Sequence, residues 1–225
     1  MTSNKISIII CCKNESKTLP EVIGKVKKYA DEIIVIDGHS KDNSIEIAKK
    51  LKCRVYLDGG KGKGDGVKTG IKKARGNIIV FIDADGSHEP FDIPKLITPI
   101  KENKADLVIA SRGRGGSDEL YGDFEKMVRL IGSSIITLVI NIRFKVKLTD
   151  SQNGLRAIKT IVARKLKLKE NSFSIEQEML MNALKFGYTV EEIPSHEYAR
   201  KNGRSKIKLF FESWIYLKSL IKGIL

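Results

Sequence analysis

The chain has 225 residues, 41% of them hydrophobic, enough to bury one substantial core and to read as one domain. Its 41 basic and 27 acidic residues leave a formal charge of +14, so its surface suits something anionic: nucleic acid, acidic lipid headgroups or phosphorylated substrates. No run of 18 or more uncharged apolar residues occurs, and the start, MTSNKISIII, soon meets charge at Lys13 and Glu15, which argues against a signal peptide and a spanning helix. Cys11, Cys12 and Cys53 lack CxxC spacing and read as buried thiols in a reducing, cytosolic setting.

Short β-branched runs predict strands at 6–12, 32–37, 53–57, 77–83 and 106–111. Between them Leu19, Val22, Ile23 and Val26 recur at helical spacing, as do Ile45, Ile47, Ala48 and Leu51, then Leu96, Ile97 and Ile100. The alternation predicts an α/β fold with a mostly parallel sheet and flanking helices. Gly-rich stretches at 59–66 and 113–123 read as functional loops. From about residue 120 the pattern predicts a long helix to Phe144, a turn at LTDSQNG, a helix near 174–186 and a short strand in YTVEEIP.

In such sheets ligands sit outside the carboxyl ends of the strands. The fourth predicted strand ends in Asp83-Ala84-Asp85, and residues two apart on an extended chain project to the same side. Two carboxylates brought together call for a cation, and oxygen ligands with a bound diphosphate suit Mg²⁺ or Mn²⁺. The plainer alternative is a strand end that opens a turn before Pro90. Polar residues cluster likewise after the first strand, Cys11-Cys12-Lys13-Asn14-Glu15, and after the second, Asp37-Gly38-His39-Ser40-Lys41-Asp42.

Together with GKGKGDG, ASRGRGG, LTDSQNGLRA, SFSIEQEML and EYARKNGRSKI, these segments give an order that resembles the inverting glycosyltransferases of family 2, with the GT-A Rossmann-like fold. Within that family the likeness is strongest to the polyprenyl-phosphate sugar synthases, such as the dolichol-phosphate mannose synthases. The resemblance implies nucleotide-sugar contacts from Cys11, Lys13, Glu15, Asp37, Lys63, Asp83, Ala84, Asp85, Ser87, Arg112, Arg200 and Lys206. It implies a metal set of Asp83, Asp85 and Ser87, with Asp85 the metal ligand proper and Asp83 turned toward the ribose or an outer-shell water. Catalysis would fall to Asp85, Arg112, Asp150, Arg200 and Lys206, with Gln152 beside Asp150 beneath the sugar and Glu176 near an acceptor or sugar hydroxyl. Cys11, Lys13 and Gly38 depart from the family's pattern in the part that reads the base, leaving GDP-mannose and UDP-glucose both open as donors.

The implied reaction is metal-dependent transfer of a hexose to a polyprenyl phosphate; the alternative is a family 2 enzyme acting on a sugar hydroxyl in glycan synthesis. Lys25, Lys27, Lys28, Lys72, Lys73, Lys165, Lys167 and Lys169 carry no recognised nucleic-acid motif and read as solvated helix faces, so no nucleic acid is expected. The catalytic domain is expected to span 1–204, followed by an amphipathic helix over 205–225. That helix sets Leu209, Phe210, Leu217, Leu220, Ile221 and Ile224 on one face, which suits a bilayer interface or packing on the domain. With the apolar residues 135–144, it predicts peripheral attachment to the cytoplasmic face of a membrane, directly or through a membrane-protein partner.

Overall fold

The computed structural model describes residues 5–120, 124–202 and 209–224. Strands β1 (Ile6–Cys12), β2 (Glu32–Asp37), β3 (Arg54–Leu57), β4 (Ile78–Asp83) and β5 (Leu107–Ser111) form where the β-branched runs predict them. With β6 (Arg156–Lys159) and β7 (Val190–Pro194) they make one sheet in the order β3-β2-β1-β4-β6-β5-β7. Pairing is parallel except at β6, which runs antiparallel to both β4 and β5. This is the mostly parallel, Rossmann-like sheet expected. β6, the single turn α5 (Arg112–Gly115) after β5 and the short helix α7 (Thr160–Lys165) are additions to the expected elements; the β6 segment RAIK holds one β-branched residue between charged ends, too little to mark a strand.

Helices cover both faces because the strands are apolar on both sides. Ile8 and Ile10 face α1 (Leu19–Val26), α2 (Ser44–Lys50) and α4 (Ile93–Lys101). Ile9, Ile79 and Phe81 face α3 (Lys63–Lys73), α7 and α8 (Ile175–Lys185). Helix α3 lies so close to β1 that a Cβ at Gly70 would sit 2.6 Å from Ile9 Cγ2.

Helix α6 (Phe124–Phe144) bears on the expectation of no spanning helix: by length and composition its 21 residues are long and apolar enough to cross a membrane. The requirement for an uninterrupted apolar run misses it because Arg129 and Arg143 bracket the uncharged stretch Leu130 to Ile142. Thr137 and Ile140 are buried, while Phe124, Met127, Ile131, Ile135, Leu138 and Ile142 form an exposed apolar strip at helical spacing.

Helix α9 (Leu209–Ile224) divides its expected apolar face: Leu220 is buried in the core shared with α8, and Ile224 packs against it. Trp214, Leu217 and Ile221 stay exposed beside the strip of α6, against which α9 packs. The expected boundary at 204/205 lies outside the described residues.

Candidate active site

The register sets Cys11 beside Asp83 and Cys12 beside Asp37, so three strand ends are level along one edge. A cavity of about 290 Å³ opens there, lined by Cys11, Lys13, Glu15, Lys63, Asp83, Ala84, Asp85 and Arg200 among others. The sheet order thus brings together residues from the first 15 positions and position 200. Asp37 is not among the lining residues: fully buried, it accepts hydrogen bonds from the Ser40 backbone N–H (2.8 Å) and hydroxyl (2.5 Å) and shapes the β2–α2 turn. Asp58, one residue past β3, lines the cavity in its place.

Lys63 enters at the start of α3 and bridges Asp83 Oδ1 (2.7 Å) and Glu176 Oε1 (2.9 Å). Burial alone would lower its pKa, but those two carboxylates outweigh it and hold the ammonium charged. Burial likewise opposes ionisation of Asp83, yet Lys63 and His88, whose Nε2 lies 3.2 Å from Oδ2, keep it far below the usual carboxylate range. The close approach needs Gly154, where a Cβ would fall 2.5 Å from Asp83 Oδ2. Asp85 Oδ1 accepts from the Ser87 backbone N–H (3.0 Å) and hydroxyl (2.7 Å), and its Oδ2 meets Arg200 Nη2 at 3.1 Å.

A second cavity, about 330 Å³, meets the first across Lys63, Asp83, Phe173 and Arg200. One side carries Ser87, Arg112, Gln152, Glu176 and Glu197; the side formed by α6 and α9 is largely apolar, with Val128, Ile135, Ile136 and Leu217 beside Arg129, Ser133 and Tyr216. Arg112 forms a two-pronged pair with Asp150, Nε to Oδ2 at 2.6 Å and Nη2 to Oδ1 at 2.9 Å, and Nη1 lies 3.4 Å from Glu197. Asp150, 3% exposed, also accepts from the Gln152 and Asn153 N–H groups. It lines neither cavity, whereas Gln152, expected beside it, and Glu176 line the second; Asp150 instead orients Arg112. Arg156 is fully buried and donates to the Glu176 carbonyl at 2.7 Å, bracing the same turn.

The loop after β7 closes the edge: the Tyr198 N–H donates to Ser87 O (2.8 Å), the Arg200 N–H to Glu119 (3.0 Å), and Lys201 pairs with Glu21. Lys206 lies outside the described residues, as does Ser205 of the same segment. Asp58 and His88 are site residues beyond those predicted. Asp58 follows a strand by one position, the same signal that marks the other strand ends.

The donor set also bears on a metal. Among the described residues no three His, Cys, Asp or Glu side chains group as a metal cage. The first cavity carries four carboxylates (Glu15, Asp58, Asp83, Asp85) against three cations (Lys13, Lys63, Arg200), so a diphosphate entering it would add to an anionic surplus. Two carboxylates completed by substrate phosphates is the usual protein contribution to a Mg²⁺-type site, and Asp83 and Asp85 fit it. Ser87 is turned to Asp85 rather than outward, so it fits better as a brace than as a ligand.

Two cavities that meet on the carboxyl edge of a mostly parallel sheet lie where such folds bind their ligands. The sequence matches the family Glycosyl transferase family 2 over residues 7–166, and the chain belongs to that family. It is 30% identical over 218 residues to UDP-N-acetylglucosamine–dolichyl-phosphate N-acetylglucosaminyltransferase of Methanococcus voltae, covering 86% of each chain. It is 30% identical over 234 residues to dolichol-phosphate mannosyltransferase of Pyrococcus furiosus, covering 97% of this chain and 64% of that one. Its fold matches that of glucosyl-3-phosphoglycerate synthase from Mycobacterium tuberculosis, crystallised with Mn²⁺, UDP and phosphoglyceric acid. The TM-score is 0.79 at 21% identity, over 99% of this chain and 79% of that one. The GT-A fold and the glycosyltransferase family are therefore those the sequence motifs imply.

Proposed function

We propose that this glycosyltransferase moves a hexose from a nucleoside diphosphate sugar, GDP-mannose or UDP-glucose, to a polyprenyl phosphate with inversion at the anomeric carbon. The observation that carries the reading is the second cavity. Its polar side adjoins Asp83, Lys63 and Arg200, and its largely apolar side reaches Ile135 and Leu217, which surface in the exposed strip of α6 and α9. A ligand with an anionic head and a long apolar tail matches that gradient. The two dolichyl-phosphate enzymes among the relatives support it.

In the reaction a phosphate oxygen of the acceptor forms the new bond to the anomeric carbon. The bond from that carbon to the donor's diphosphate breaks, and its electron pair leaves with the nucleotide. A phosphate monoester, with a second pKa of about 6, is largely dianionic at neutral pH and needs no general base. Of the glutamates that line the second cavity, Glu176 is paired with Lys63 and Glu197 with Arg112, while Glu119 accepts the Arg200 N–H. Asp85, with Asp83, would hold Mg²⁺ or Mn²⁺, which supplies positive charge to the departing diphosphate. Arg200 sits where it can pass from Asp85 to a phosphate. The apolar strip, flanked by exposed Lys145, Lys147, Lys218 and Lys222, would rest on the membrane that carries the acceptor.

Purified protein, a panel of nucleotide sugars, polyprenyl phosphate and Mg²⁺ or Mn²⁺ test this by recovery of a lipid-linked sugar and its anomeric configuration. Transfer only to hydroxyl acceptors overturns the reading, and equal product from Asp85→Ala removes the metal site.

A further inference from the structure

Asp58 carries the inference that the structure extends furthest. Its side chain is 6% exposed, and one oxygen, Oδ1, accepts the Gly60 N–H at 2.8 Å with His39 Nε2 at 3.5 Å. Among the described residues Oδ2 has no hydrogen-bond partner, although Asp58 lines the donor cavity. Glycines bound the space around it: a Cβ at Gly38 or at Gly66 would stand 3.5 Å from Oδ2. Gly66 also lies against Cys11 Sγ and Ile36 Cγ2, at 3.4 and 3.6 Å from its would-be Cβ. The end of the cavity under β3 is thus a slot bordered by Gly38 and Gly66, by Cys11 and Ile36, and by the stem of Lys13, with one carboxylate oxygen at its edge.

Position along the sheet says which part of the donor belongs there. Asp58 follows β3 and Asp83 ends β4, and the order β3-β2-β1-β4 separates them by three strand spacings of about 4.8 Å, roughly 14 Å. A nucleoside diphosphate laid along the edge with its diphosphate at Asp83 and Asp85 brings its base to Asp58. A space bordered by glycines, Cys11 and Ile36 suits a base, and a carboxylate oxygen accepts a ring N–H. Uracil offers one such donor, at N3. Cytosine and adenine present a lone pair at the matching ring nitrogen, which a carboxylate repels. Guanine presents two adjacent donors, whereas only one Asp58 oxygen is open, the other being occupied by the Gly60 N–H.

We propose that Asp58 is the base-reading residue and that it selects uracil, making the donor a UDP-sugar. This rests on the reading that the donor is a nucleoside diphosphate sugar but not on the lipid acceptor. Side chains at the β2 end do not fill the slot, because Gly38 brings none there and Asp37 is turned to Ser40. The residue from the next strand reaches in instead.

The test is calorimetric titration of the purified full chain with UDP, GDP, CDP and ADP in Mg²⁺. Loss of a hydrogen bond to a charged acceptor predicts UDP binding about ten- to a hundredfold tighter than CDP, ADP or GDP. Asp58→Asn, which can turn an amide N–H toward the slot, should lower UDP affinity by about tenfold or more and narrow its margin over CDP. Equal binding of all four nucleotides to the wild type, or preference for GDP, overturns the proposal whether or not the variant folds. So does a folded Asp58→Asn protein with the wild-type nucleotide ratios. Selective UDP binding without transfer to lipid phosphate would leave this proposal standing and sink the acceptor assignment.

Discussion

Gly132 offers a clean way to separate donor from acceptor. It lies within α6 and lines the second cavity, and a Cβ there meets nothing within 4 Å. Gly132→Phe directs a ring into the apolar part of a cavity of about 330 Å³. Each acceptor CH₂ that the ring displaces forfeits about 0.8 kcal/mol of burial. Two such groups amount to about 1.6 kcal/mol, more than a tenfold rise in KM for the lipid phosphate. The backbone should not suffer, since a glycine inside a helix costs about 1 kcal/mol relative to alanine. Gly132→Ala, the control, should raise Tm by a few degrees, about 2–4 °C per kcal/mol in a chain of this size. The assay is steady-state transfer to a long-chain and to a short-chain polyprenyl phosphate, with KM for the nucleotide sugar measured alongside. A folded Gly132→Phe enzyme with unchanged KM for the long-chain acceptor would refute the assignment of this cavity, as would an equal rise in KM for the donor.

Asp150→Asn leaves the buried Arg112 with only Glu197 at 3.4 Å as a charged partner, which should cost about 3 kcal/mol in urea unfolding; unchanged stability with lost kcat would make Asp150 a catalytic rather than a positioning residue. Burial opposes ionisation of Asp42, but the Ser44 hydroxyl and the Ser16 N–H outweigh it and hold its carboxyl at about 2. Since that lies below the unfolded value of about 3.9, Asp42 stabilises the fold above about pH 4 and loses its contribution as pH falls through about 2. Asp42→Asn should flatten the urea midpoint between pH 5 and pH 2, and an unaltered acid limb would contradict this. Burial pushes the Cys12 thiol up to about 12 and raises Cys11 further against the pull of Lys63. Native protein at pH 8 should therefore resist iodoacetamide at both, and rapid labelling of Cys11 would show the opposite.

The sheet and the donor edge were legible because β-branched strands long enough to register end in unlike polar clusters. Asp83, Asp85, Lys63 and Arg200, far apart in sequence, line one cavity. What stayed hidden depends on side-chain direction. Asp37 and Asp58 both follow the strand-end pattern, yet the first curls back to cap its own turn while the second faces the cavity. Asp150 sits in a motif that implies contact with sugar, but the five hydrogen bonds its carboxylate accepts among the described residues all come from Arg112 and the turn. Sequence spacing specifies neither, because it does not say which oxygen is already satisfied. For α9 the apolar face was legible but not its division into a buried edge at Leu220 and an exposed one at Trp214, Leu217 and Ile221.

The net charge of +14 also finds a different place from the one the motifs suggest. Each described cation closest to the reacting groups is already matched: Lys63 by Asp83 and Glu176, Arg112 by Asp150 and Glu197, Arg200 by Asp85. Paired charges inside a cleft do little to attract a substrate from a distance, but they fix positions and can exchange partners when phosphates arrive. The surplus sits instead on exposed lysines, including Lys145, Lys147 and Lys218 near the apolar strip of α6 and α9. There it acts at long range, toward an anionic surface, where each basic residue near the headgroups contributes about 1 kcal/mol. Under the proposed function the division is physically coherent: exposed charge would bring the enzyme to a lipid phosphate, and balanced charge inside would leave a divalent cation to compensate the two phosphates that must meet.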